Sequence, residues 1–428
     1  ARTRDARADR ARHLGYRGAV APFGQALIPP GAAFTKPPPG GFVVFRRPRN
    51  TVRPGFGNEE GVRHTPGSLI DTKEESAVSR SLLAFGLVVS AAAATFAFTG
   101  LVLAGSGDEP LLERARALFK PLPANAATEA YPLPAERVEL GRALFFESRV
   151  STDGKQSCAN CHQPIYYGTD ALAHSVGNKG RVLPRNVPTV FNTALQFLQH
   201  YGGNRVDVEE QAEKALTSAL AYGNKDMAEV EARLRAIPGY RDLFAQAFPG
   251  QPEPVTARNW ALAIGAYERT LLTPAPFDRF LQGDAGALSL PARRGLDKFM
   301  NIGCAGCHNG VVLGGQMFQK FGIVKDYWLA TGSKEEELLK GRDKGRFHDT
   351  KNEADAFIFK VQQLRNVAVT PPYFHDGSVA DLREAVRVMA AVQLGRTLAP
   401  AETAAIAAFL ESLTGSVPAG FNAPVDPR

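Results

Sequence analysis

Cys158-Ala159-Asn160-Cys161-His162 and Cys304-Ala305-Gly306-Cys307-His308 use all four cysteines of this 428-residue chain. Each pentad is what covalent attachment of a c-type haem requires: two thiols to form thioethers with the vinyl groups, and an imidazole that reaches the iron from the same face. A redox disulfide or half of a zinc site also uses Cys-x-x-Cys. Neither asks for a histidine directly after the second cysteine, and no spare cysteine remains for a thiolate tetrad. The spacing therefore predicts two covalently bound haem c groups, with His162 and His308 as proximal iron ligands.

Working outward, helical periodicity surrounds each pentad. Leu111–Phe119 reads as a brief helix, and Pro132–Glu147 places Leu140, Leu144 and Phe145 on one side. After the first pentad comes an irregular region, Gln163 to Asn204, dense in Gly, Pro and Asn. Helical patterns resume at Val208–Tyr222, Ala228–Ile237, Tyr240–Phe248 and Ala257–Leu271, with a break at Pro274 and Pro276. Leu290–Met300 leads into the second pentad, and Asp381–Met389 and Ala401–Leu413 close the pattern. The predicted class is mainly α: two cytochrome c-like haem domains, at 131–283 and 284–416, with a linker at 108–130 and a C-terminal tail at 417–428.

The formal charge of +7 is confined to one end. Residues 1–80 carry fourteen Lys/Arg against seven Asp/Glu, and the remaining 348 residues hold thirty-six of each. This excludes a nucleic-acid partner for the haem domains; the basic part is an irregular tail, with nine Pro and ten Gly in 80 residues. From Ser81 to Gly107 no charged residue occurs in 27 positions, long enough for a transmembrane helix. A single pass is expected, with the tail in the cytoplasm or matrix and the haem domains in a bacterial periplasm or mitochondrial intermembrane space. The tail is a candidate contact for subunits of a larger membrane complex.

Beyond the pentads, the residues resemble the bacterial di-haem cytochrome c peroxidase family, which includes the di-haem enzymes that mature tryptophan tryptophylquinone. The resemblance covers roughly residues 111–415. It rests on Leu140-Gly141-Arg142-Ala143-Leu144-Phe145-Phe146, Arg185-Asn186-Val187-Pro188-Thr189-Val190-Phe191-Asn192, Leu364-Arg365-Asn366-Val367, Pro371-Pro372-Tyr373-Phe374-His375-Asp376-Gly377-Ser378 and Gln393-Leu394-Gly395. It implies electron transfer between two haems, hydrogen peroxide as the ancestral oxidant, and a small soluble cytochrome c or cupredoxin as donor.

Carried over position by position, the resemblance makes Met389 the sixth ligand of the second haem, fourteen residues after His375. Thioether ligation raises the potential relative to two histidines, so that haem is the electron-accepting one. Gln211 takes the distal glutamine position, and Tyr201 stands where the family places a tryptophan between the haems. A calcium ion is implied at Asn186, Thr370 and Pro372, an oxygen-only and largely neutral set. His375 is expected to make structural hydrogen bonds.

Two positions depart from the family. The removable distal histidine of the first haem is replaced by Asn178, in Ser175-Val176-Gly177-Asn178, and the proton-moving glutamate ten residues after Gln211 is replaced by Ala221. His174 and His200 are the remaining candidates to cap the first iron. Two readings stay open: a peroxidase with impaired activity, and a non-catalytic electron-transfer or structural subunit of a respiratory or photosynthetic membrane complex. Oxidation of an organic or protein substrate is disfavoured, because the quinone-maturing relatives carry Tyr where Met389 stands.

Overall fold

The computed structural model describes residues 109–332 and 341–424. The basic tail and the apolar stretch 81–107 lie outside these, so the expected membrane span does too. Among the described residues no helix is long and apolar enough to cross a membrane.

The first half runs α1 (Glu109–Leu118), α2 (Ala135–Phe145), α3 (Cys158–Cys161), α4 (Val208–Thr217), α5 (Met227–Ala236), α6 (Tyr240–Ala247) and α7 (Ala257–Glu268). The second runs α8 (Pro276–Gln282), α9 (Leu290–Ile302), β1 (Phe318–Lys320), α10 (Tyr327–Ala330), α11 (Phe347–Thr350), β2 (Ile358–Lys360), α12 (Leu382–Leu394) and α13 (Pro400–Glu411). The strands pair antiparallel, Phe318 opposite Lys360. Caps fix several starts: Asp207 accepts from Glu210 N at 2.7 Å for α4, and Asp381 from Glu384 N at 2.8 Å for α12.

Each pentad sits beside the same helix crossing. Gly141 of α2 leaves so little room that a Cβ there would lie 1.9 Å from Ala263 O and 2.9 Å from Tyr267 Cβ. Gly295 of α9 meets Ala405 O at 1.8 Å and Phe409 Cβ at 2.9 Å by the same measure. One turn on, Phe145 lies 5.5 Å from Tyr267, and Phe299 lies 5.2 Å from Phe409. Two apolar cores result, one around Leu144, Trp260 and Ile264, the other around Leu296, Ile406 and Phe409.

The cores exchange chain ends. α1, in the stretch read as a linker, buries Ala115 and leads to the buried Phe119, both in the second core. Phe421, read as part of the tail, is buried in the first core, 4.9 Å from Phe191. Between the units, Asn192 and Asn366 both donate to Thr273 Oγ1, at 2.8 and 2.9 Å. Within the second unit, Arg365 makes a buried two-pronged pair with Asp278 of α8, 2.7 and 2.9 Å. Asn192 and Asn366, meeting on Thr273, thus hold the seam between units.

Three boundaries differ from the expected ones. α4 stops at Thr217, where Ser218–Gly223 turns instead of continuing to Tyr222. α12 runs on to Leu394, so Met389 is mid-helix. Pro276, read as part of a break, is the first residue of α8, where its missing N–H costs nothing.

Candidate haem sites

The second pentad opens onto a cavity of about 270 Å³ lined by Cys304, Cys307, His308 and Met389. Phe299 and Leu410 form apolar wall. His308 Nδ1 lies 3.2 Å from Leu313 O, which leaves Nε2 for an iron. Burial lowers its pKa and keeps the ring neutral, the state that binds metal.

The same cavity has a polar end. Lys360 is buried, its ammonium bonded to amide oxygens of Gln196 and Gln362 only, and burial lowers its pKa to about 7. His375 is 3% exposed, and neither ring nitrogen has a partner. The structural side-chain bonds expected of His375 are therefore missing; only its carbonyl is engaged, by Asn186 N at 2.8 Å. Unpaired buried donors are costly. A haem, whose propionates bring anionic oxygens, fits a cavity with thiols and imidazole among its lining and, at its polar end, an unpartnered His375 and a buried Lys360 with no anion beside it.

Tyr201, Asn186, Thr370 and Pro372 border this cavity as well. Tyr201 donates to Phe374 O at 3.3 Å, and its ring lies 6.4 Å from His375. Asn186 Nδ2 donates to Pro372 O at 2.9 Å, so two of the three oxygen-bearing residues named for calcium are in contact. Among the described residues no cluster of three or more His, Cys, Asp or Glu forms a metal site. A carbonyl-and-amide set is outside that class of site.

At the first pentad, α3 is a single turn, which sets Cys158 and Cys161 on one side. Burial pushes the Cys158 thiol up to about 12 and Cys161 to about 11. Neither is a thiolate at neutral pH, and none of the four cysteines is in a disulfide, which suits attachment points and not an exchange-active dithiol. His162 Nδ1 lies 2.8 Å from Gly168 O, again freeing Nε2. Phe145 stands 6.4 Å from His162, the distance that separates Phe299 from His308.

The two departures come together in space. The loop carrying Asn178 is docked on the turn carrying Ala221, with Asn178 N donating to Leu220 O at 3.1 Å. The Asn178 amide is spent on Thr152 Oγ1 at 3.0 Å. Next to Ala221, Tyr222 is buried with its hydroxyl 3.6 Å from Cys158 Sγ. Gln211 is half-buried on α4.

The spare histidines separate. His174 is exposed, with Nδ1 3.0 Å from Leu183 O. His200 is half-buried, held by Asn204 Oδ1 at 2.8 Å, with burial lowering its pKa and the charge of His162 acting on it.

Comparison with known proteins decides the kinship. A family model described as "Di-haem cytochrome c peroxidase" matches residues 135–286. The cytochrome c551 peroxidase of Pseudomonas aeruginosa is 42% identical over 72% of this chain and 88% of its own length. The chain belongs to the di-haem cytochrome c peroxidase family. Methylamine utilization protein MauG of Methylorubrum extorquens, at 36% identity over 59% of this chain and 68% of its own, is a further relative. Among solved structures, a MauG-like protein associated with microbial copper homeostasis superposes with a TM-score of 0.62 at 28% identity, covering 71% of this chain and 97% of that one. Membership implies two c-type haems and a peroxidase-type, electron-transferring oxidoreductase.

Sequence reasoning missed Glu268. It is a buried carboxyl at the end of α7, and its charge acts on the Cys158 thiol.

Proposed function

We propose that this chain is a membrane-anchored di-haem cytochrome whose surviving role is electron transfer, with peroxide reduction as an impaired ancestral reaction. Haem bound at the pentads supplies the chemistry: electron passage from the Met389 side to the His162 side, and reduction of hydrogen peroxide to water. His162 and His308 would hold the two irons, with ring orientation set by Gly168 O and Leu313 O. Met389, on the wall of the same cavity as His308, would supply the second haem with a thioether ligand. Gln211 is left to orient peroxide, and Tyr201, at the cavity's polar end, relays charge. Calcium held by Asn186, Thr370 and Pro372 would tie the units together. A small soluble cytochrome c or cupredoxin is the donor.

One observation carries the impairment: the loop bearing Asn178 closes on the turn bearing Ala221, and neither contributes an acid. Breaking the peroxide bond requires a proton on the departing oxygen, and losing such an acid costs about 10²–10⁴-fold. Stopped-flow mixing of the fully haem-loaded, reduced protein with peroxide tests this. Slow oxidation is expected; turnover equal to that of an ordinary family peroxidase would refute the impairment.

A second reading, a non-catalytic subunit of a respiratory or photosynthetic membrane complex, is favoured by the same two substitutions and by the uncharged stretch 81–107. That stretch also underlies the anchor and the placing of the haem domains across the membrane from the basic tail. Purification from membranes distinguishes the readings. Co-purifying subunits support the second, and a lone monomer with peroxidase turnover removes it.

A further inference from the structure

The two helix crossings give a residue-by-residue correspondence between the units. Gly141 contacts Ala263 and Tyr267 as Gly295 contacts Ala405 and Phe409. The next residue after each ring is Glu268 in the first unit and Leu410 in the second. Leu410 lines the cavity onto which Cys304 and His308 open. Glu268 therefore occupies the corresponding wall of the first haem site, with a carboxyl where the second has an isobutyl group. Independently, the charge of Glu268 acts on the Cys158 thiol.

Glu268 is 5% exposed and makes no hydrogen bond among the described residues, and its carboxyl oxygens are not sealed off from open space. Arg269 is adjacent in sequence, but its guanidinium is committed to Glu209 at 2.7 and 2.9 Å. The charged groups acting on Glu268 are Glu209 of α4, which disfavours ionisation, and Arg269, which favours it. Burial is the largest influence, and the pKa rises to about 8. An isolated buried carboxylate is expensive unless a positive charge stands nearby. A ferric haem carries one positive charge more than a ferrous one, so the charge state of this carboxyl is tied to that of the iron.

We propose that Glu268 is the proton-binding group coupled to electron uptake at the first haem. As the iron gains one electron from the donor, the Glu268 carboxylate takes one proton from water. As the electron leaves, the proton returns. The inference rests on the reading above only in requiring haem at the first pentad. It stores a proton beside the site where peroxide reduction would consume two.

The test is a spectroelectrochemical titration of each haem in the intact holoprotein, repeated across neutral and mildly alkaline pH. The first haem's potential is expected to fall toward about 59 mV per pH unit, the value for one proton per electron. The second haem's potential stays nearly flat. Glu268→Gln and Glu268→Leu, the latter copying Leu410, flatten the first slope, and Glu268→Asp retains part of it. A merely structural role would shift the potential and leave the slope alone. A slope that persists in both Gln and Leu variants overturns the inference and assigns the proton elsewhere, for instance to a propionate. Protein mass short of one haem would instead overturn the parent reading along with it.

Discussion

The first and second haem units share their scaffold and differ in their walls. Both use a glycine to let two helices touch, a phenylalanine 6.4 Å from the proximal imidazole, and a backbone carbonyl to orient that imidazole. Around the second pentad the wall residues are Leu410 and Met389. In the first unit the helix position matching Leu410 holds Glu268, and Asn178 and Ala221 stand at the departures from the family pattern. The same crossing of helices places Leu410 on the wall of the second cavity, which Met389 also lines, and a buried carboxyl, Glu268, at the matching helix position of the first unit. Function is set by these few side chains, and the scaffold is indifferent to them.

The sharpest way to break this contrast is Ala221→Glu, which returns an acid beside the first site. Peroxide turnover of the holoprotein should rise by about 10²–10⁴-fold, read by stopped flow. No change would mean that the first site lost its chemistry for another reason, with the docked Asn178 loop the first suspect. Next in size is Phe421→Ala, which empties a buried position between Phe145 and Phe191. A loss of about 3–5 kcal/mol is expected in denaturant unfolding, with Phe119→Ala as the matched deletion in the second core.

Gly141→Ala and Gly295→Ala sharpen the scaffold half of the comparison. Each new Cβ meets a backbone carbonyl, so the helices must separate. Each should cost about 1–3 kcal/mol. Clearly unequal losses would show that the two crossings are not interchangeable.

The last effect concerns pH. Glu268 has its folded pKa raised to about 8, above the usual carboxylate value, so the folded state holds a proton that the unfolded chain has released. Its contribution is fully present below the unfolded value and is lost as pH climbs through that window to about 8. Relative to Glu268→Gln, the parent should therefore weaken by on the order of 1.4 kcal/mol per pH unit within the window. Parallel pH–stability curves for the two proteins would contradict this.

Much of this architecture was legible in the sequence because haem attachment and helix packing leave local marks. The pentads, the helices flanking them and the position of Met389 on the wall of the His308 cavity follow from spacing and resemblance. Glu268 was not legible because it ends a helix whose other residues, Ala261, Ile264 and Tyr267, read as continuous core. α8 was missed because two prolines suggest a stop, whereas Pro276 starts it. The unpartnered His375 was invisible because hydrogen-bond satisfaction depends on neighbours distant in the chain. The closure of the Asn178 loop on the Ala221 turn joins positions more than forty residues apart, which no periodicity reports.

The exchanged chain ends have a practical meaning for anyone dissecting the protein. Cutting at the apparent boundary near 284 would strip the first half of Phe421 and the second of Ala115 and Phe119. Each fragment would expose a hole that its lost strip of chain had plugged. The two haem units are fastened like a clasp, each closed by the other's loose end, and they stand or unravel as a pair.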